Sequence, residues 1–211
     1  MKYFIRTTNE RKLDSSYSQV EYELLIDTNH NAKKSFVEQI EYISTLDDDC
    51  VILEDDLILC RDFKNRIEKV ISEHSDEVIN FFFNPNVYFK SGRIGIFFWN
   101  QCVYYPKQII KLMAENLRGM YNKNPNMHHD LLEGFLFGRF KIKNYRYRPC
   151  LVQHLDFDTL IQDKPSGRRT PYFIDYLDDL GIKYENALEH REELISYMNK
   201  QFEKYKEWYY S

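Results

Sequence analysis

The alternation of short apolar runs with helix-spaced stretches over residues 1–83 constrains the fold of this chain more than any other feature. Lys2 to Arg6 and Gln19 to Ile26 read as strands, and Cys50-Val51-Ile52-Leu53 as a third. Between the second and third, Asn31 is placed to cap a helix whose Phe36, Ile40 and Ile43 share one face. Asp62 to Ser72 repeats that spacing with Phe63, Ile67, Val70 and Ile71, and Val78 to Phe83 returns to strand until Asn84-Pro85 stops it. Strand, helix, strand, helix, strand predicts an α/β chain with a central mixed, mostly parallel sheet flanked by helices, Rossmann-like in layout. Ligands of such sheets gather beyond the C-terminal ends of the strands, so the residues just past each apolar run are the first place to look for chemistry.

Past Leu53 come Glu54-Asp55-Asp56, and then Leu57-Ile58-Leu59. Adjacent carboxylates repel and resist burial, so they need water, cationic partners or a metal ion. A cluster of oxygens suits Mg²⁺ or Mn²⁺, which keep positions open for substrate phosphates. A solvated acidic turn is the alternative, but such a turn has no need of an apolar run on both sides.

Further along, Ile94 to Tyr105 reads as an aromatic strand region, Pro106 to Leu117 and His128 to Phe137 as helices, and Tyr145 to Gln153 as a late strand ending at His154. An isolated histidine is more often structural than a ligand. His154, however, comes after an apolar run as Asp56 does, and imidazole with carboxylate is a workable Mn²⁺ set. The loop from Lys164 to Pro171 carries Arg168 and Arg169, which could neutralise a diphosphate by bidentate hydrogen bonds, with Ser166 and Gly167 allowing close backbone approach. A solvated basic loop is the plainer alternative. Asp130, after His128-His129 at a helix start, could cap that helix or take a proton from an acceptor hydroxyl.

Composition narrows the classes. A chain of 211 residues with 17 Tyr and 15 Phe, few Gly and Pro, and a net charge of −4 is globular and has no whole-molecule attraction for nucleic acid. Its four cysteines are scattered without a CxxC pair, which argues against a zinc ribbon or a disulfide framework and for a reduced, cytoplasmic setting. No apolar stretch approaches the roughly 20 residues of a membrane span. From Glu185 to Tyr209, Leu188, Ile195, Met198, Phe202, Tyr205 and Tyr209 form an amphipathic stripe. The chain thus divides into a domain over 1–180 and a C-terminal helix within 181–211, packed on that domain or at an interface that could join two copies.

The order of βα units, the ILEDD run, the late PCLVQH and the arginine loop after it resemble a GT-A glycosyltransferase over roughly residues 1–175. The EDD is similar to the DxD signature, with Glu54 in its first position, and short GT-A-like proteins of bacteriophages share the layout. The resemblance implies a GT-A fold, a nucleoside-diphosphate sugar donor such as a UDP-sugar, and a Mn²⁺ or Mg²⁺ cofactor held by Asp56 and His154. It also implies donor contacts from Glu54, Asp55, Arg168 and Arg169, and from Arg6, Thr7 and Asp27 at the first strand ends. Asp55 and Asp130 are then the candidate catalytic residues, Asp130 as the base if the sugar inverts, with Glu133 in reserve. A phage-encoded enzyme would work in the host cytoplasm. The acceptor stays open between a hydroxymethylated DNA base, a glycan and a protein; Lys141, Lys143, Arg146 and Arg148 interleaved with Tyr145 and Tyr147 form the stripe that speaks for DNA. Two rivals are a metal-dependent nuclease or phosphoesterase, and a non-catalytic interaction protein on a decayed enzyme fold.

Overall fold

The structure is a computed structural model that describes residues 1–8, 11–28, 30–83, 91–93, 100–155 and 169–210, with side chains as far as 206. Its strands are β1 Lys2–Thr7, β2 Tyr22–Ile26, β3 Cys50–Glu54, β4 Leu57–Leu59, β5 Val78–Asn80, β6 Gly92–Arg93, β7 Cys102–Tyr105, β8 Asn144–Arg146 and β9 Val152–His154. Its helices are α1 Ala32–Ser44, α2 Phe63–Glu73, α3 Lys107–Lys123, α4 His129–Phe140, α5 Ile174–Leu180 and α6 Arg191–Tyr210. One sheet takes the order β2-β1-β3-β7-β5-β8-β6, and β4 and β9 form a separate antiparallel ribbon. β1, β2, β3, β5 and β8 run one way while β7 and β6 run against them, so the sheet is mixed and mostly parallel.

Alternation along the strands splits the core in two. Tyr3, Ile5, Val51, Leu53, Ile79 and Tyr104 face α2, α5 and α6, whereas Phe4, Cys50, Ile52, Val78 and Val103 face α1, α3 and α4. All four cysteines are buried and free. Among the described residues no helix is long and apolar enough to cross a membrane.

Several boundaries differ from the sequence expectation. The strand expected at Gln19 begins only at Tyr22; Ser15–Gln19 forms a 3₁₀ turn capped by Asp14, whose carboxylate accepts from the Ser16 N–H at 2.8 Å. The late strand expected over Tyr145 to Gln153 is two strands in two sheets. Pro149 has no N–H to give a ladder, and around it the chain leaves β8 and crosses to pair with β4. Pro106 caps α3 rather than opening it, and α3 continues to Lys123. Of the run expected over Ile94 to Tyr105 the strand covers Cys102–Tyr105, and 94–99 lie outside the described residues. The last helix starts at Arg191, so Leu188 falls outside it and is exposed, while Leu194, Met198 and Phe202 are buried in the first core.

Candidate functional site

β3 ends at Glu54 and β4 begins at Leu57, leaving Asp55 and Asp56 in the turn between them. Its backbone is fixed from three sides. The Glu54 N–H donates to the Gln101 carbonyl at 2.9 Å, and the Leu155 N–H to the Asp56 carbonyl at 2.8 Å. The buried Tyr17 hydroxyl donates to the Glu54 carbonyl and accepts from the Leu57 N–H at 3.3 Å. The sequence pattern assigns Tyr17 no role; a single large ring inside Ser15-Ser16-Tyr17-Ser18 is the signal that could have found it.

Each carboxyl meets different surroundings. Glu54 accepts from Arg6 Nη1 at 3.0 Å; burial pushes its pKa up to about 7, against the pull of Arg6 and with repulsion from Asp56 and Asp55. About a quarter of the Glu54 side chain (26%) still meets solvent, which also works against protonation. Asp55 is buried, and burial with the adjacent Asp56 raises it to about 6 while Arg11 and a Thr7 hydrogen bond favour its charged form. Asp56 Oδ2 lies 3.3 Å from His154 Nε2 and 3.7 Å from Arg11 Nη1. That encounter results from the β4–β9 register, which pairs Leu57 with His154. Arg11, to which sequence reasoning assigns nothing, thus belongs to the site.

Arg6 connects the triplet to α4. Besides Glu54 it donates to Gln39 at 3.0 Å, sits 4.8 Å from the Phe36 ring centroid, and brings Nη1 within 3.5 Å of His129 Nε2. That imidazole nitrogen is in turn 3.1 Å from Asp130 Oδ1. Burial alone would raise the Asp130 pKa, but a hydrogen bond from His128 and the charges of His129, His128 and Arg6 hold it down at about 2. One turn on, Glu133 is fully buried, accepts from the Tyr105 hydroxyl at 2.5 Å and is pushed up to about 8, chiefly by burial. Two neighbouring carboxyls are therefore driven apart: Asp130 is the ionised one and Glu133 the neutral one near pH 7. His128, His129 and Asp130 also offer three ligand atoms within 4.8 Å of one another. The Arg6 guanidinium beside His129 opposes a divalent cation there, as Arg11 does beside Asp56.

No protein-family model matches the chain, and no curated protein matches it. Among solved structures, that of A197 from STIV is similar at 11% identity over 72% of this chain and 84% of that one, with a TM-score of 0.47.

Of the residues singled out by sequence, the fold brings Arg6, Thr7, Glu54, Asp55, Asp56, His154 and Asp130 to one end of the sheet. Asp27 joins them at the end of β2, where its N–H donates to the Thr7 carbonyl at 2.8 Å. Arg169 sets its guanidinium 4.6 Å from the Phe202 ring centroid on α6, one residue before Thr170, whose backbone is held by Gln153 next to His154. Arg168, Ser166, Gly167 and Lys164 lie outside the described residues. The basic aromatic stripe is not one exposed surface. Arg146 and Arg148 are buried, Tyr145 stacks on His74 at 3.7 Å, and Lys143 pairs with Asp76 at 3.4 Å.

Proposed function

We propose that this chain is a metal-dependent glycosyltransferase of GT-A type, transferring a sugar from a nucleoside diphosphate to an acceptor hydroxyl. The observation that carries the reading is the β4–β9 pairing, which sets His154 3.3 Å from Asp56 at the C-terminal end of β3. Two ligands at right angles around an ion, with bonds of about 2.1 Å, stand about 3 Å apart, so this pair suits a shared cation.

Asp56 and His154 would hold Mn²⁺ or Mg²⁺. When bound, the ion offsets charge on the departing diphosphate. Glu54 and Asp55 face the donor from the same turn, and Arg6 acts as a positioning residue, since it braces Glu54 against α4. Arg11, 3.7 Å from Asp56, would offset diphosphate charge from within the turn, with Arg168 and Arg169 the cations that the resemblance adds. Asp130, at the N-terminus of α4, is the candidate proton acceptor for an inverting transfer; with a pKa of about 2 it is ionised but a weak base, while Glu133 is neutral and hydrogen-bonded in the core.

A melting panel of sugar nucleotides with and without Mn²⁺ tests the reading. The expected result is a rise in melting temperature that needs both together and disappears in Asp56→Ala and in His154→Ala. Asp130→Asn should keep that rise and lose transfer by two or more orders of magnitude, in line with general-base removal of roughly 10²–10⁴-fold. DNA cleaved in Mn²⁺ beside intact sugar nucleotide would replace this reading with a phosphoesterase. No response to any nucleotide would leave a non-catalytic interaction protein.

A further inference from the structure

On three parallel strands the second core face turns polar at the C-terminal end, and on a fourth, β8, it is polar throughout. Phe4 gives way to Arg6, Ile52 to Glu54, Val78 to Asn80 and, on β8, Asn144 to Arg146, each two residues on and therefore on the same face. Arg6 is the register partner of Glu54, and Asn80 of Arg146; Asn80 is level through Val103 with Ile52, so the two polar pairs share the sheet edge with the second set two residues deeper. At its far end Asn80 and Arg146 are only 1% and 3% exposed. Three strand spacings separate β3 from β8, about 14 Å.

Arg148, just beyond Arg146, is 4% exposed. Its Nη1 donates to the Tyr147 carbonyl at 3.3 Å and to Cys150 Sγ at 3.1 Å, but Nε and Nη2 are buried and reach no acceptor. Both guanidiniums lie over the Phe83 ring, 3.1 Å and 5.4 Å from its centroid. Burial first, and then the charge of Arg148, bring the Arg146 pKa down to about 9. Two like charges are not held together in a dry place at no cost; an oxyanion would relieve both the repulsion and the unmade hydrogen bonds. The guanidinium fork fits phosphate and carboxylate alike.

We propose that Arg146 and Arg148 form an anion subsite, for a phosphate or a carboxylate, at the β8 end of the sheet edge that carries the acidic triplet. Its distance from the triplet suits an anionic group of the acceptor rather than of the donor, and that assignment alone rests on the transfer reading. The test uses the full chain without Mn²⁺ or sugar nucleotide, melted in millimolar inorganic phosphate or acetate, with ionic strength matched by chloride. Phosphate or acetate should raise the wild-type melting temperature, and whichever acts identifies the group. Arg148→Met should lose that response while melting in chloride at or above the wild type, because it removes a buried charge with unmade hydrogen bonds. Arg148→Lys, which keeps the charge without the fork, should respond more weakly than wild type. No response of the wild type to either anion, or an undiminished response in Arg148→Met, would overturn the proposal. So would an Arg148→Met protein that melts well below wild type in chloride, since that marks a structural brace. Sugar nucleotide is absent throughout, so failure here is distinct from failure of the transfer reading.

Discussion

Asp55, Glu54 and Glu133 have pKa values raised to about 6, 7 and 8, whereas Asp130 is lowered to about 2. A carboxyl whose folded pKa exceeds its unfolded value, about 4 for Asp and Glu, stabilises most below that unfolded value and loses its contribution as pH rises through the folded one. Stability should therefore decline from about pH 4 to pH 8, and Glu133→Gln should flatten the upper part of the decline in melting curves recorded against pH. Asp130 has the opposite sign. Its contribution is present above about pH 4 and lost toward pH 2, so Asp130→Asn should flatten only the acid limb. Tyr17 makes a third case, because its hydroxyl serves a carbonyl and an N–H on either side of the acidic turn. Tyr17→Phe leaves both without that partner and should cost about 1–3 kcal/mol in urea unfolding.

At the scale of elements, the site depends on a small ribbon rather than on the large sheet alone. β9 carries His154 to Asp56, and Gln153 beside it donates to the Thr170 carbonyl at 2.8 Å and accepts from the Thr170 N–H at 2.9 Å. An amide side chain there replaces a missing strand neighbour. Gln153→Ala strands two buried backbone groups and should lower stability by about 1–3 kcal/mol, with weakened metal-dependent nucleotide binding as the accompanying readout. The βα alternation and the placement of Glu54-Asp55-Asp56 are legible in the sequence, because period and strand ends are local properties. That Tyr145 to Gln153 is two strands in two sheets is not, since partner choice is non-local and a single Pro149 is the sole local hint. The same limit hides Arg11 and Tyr17: their roles exist only once β3 and β4 stand beside the loop after β1. Arg146 and Arg148 look like surface charge for a related reason, because strand alternation gives a face but not what covers it.

For the molecule as a whole, the sheet separates two apolar layers, and the first of them is closed by α6. Leu194, Met198 and Phe202 are 0%, 8% and 3% exposed, and burying such side chains is worth about 1.5–3 kcal/mol each. Their sum is comparable with the roughly 5–15 kcal/mol by which a domain is stable, so truncation after residue 190 should abolish cooperative thermal unfolding rather than merely lower its midpoint. The β4–β9 ribbon has a kinetic implication of its own. Asp56 and His154 are about a hundred residues apart along the chain, and closing so long a loop is entropically costly until intervening elements have folded. The β1–β2 and β1–β3 pairings join nearer segments and can form first. In refolding, sheet signal should therefore recover before the Mn²⁺ affinity proposed for Asp56 and His154, so that the chain acquires its shape ahead of that pairing.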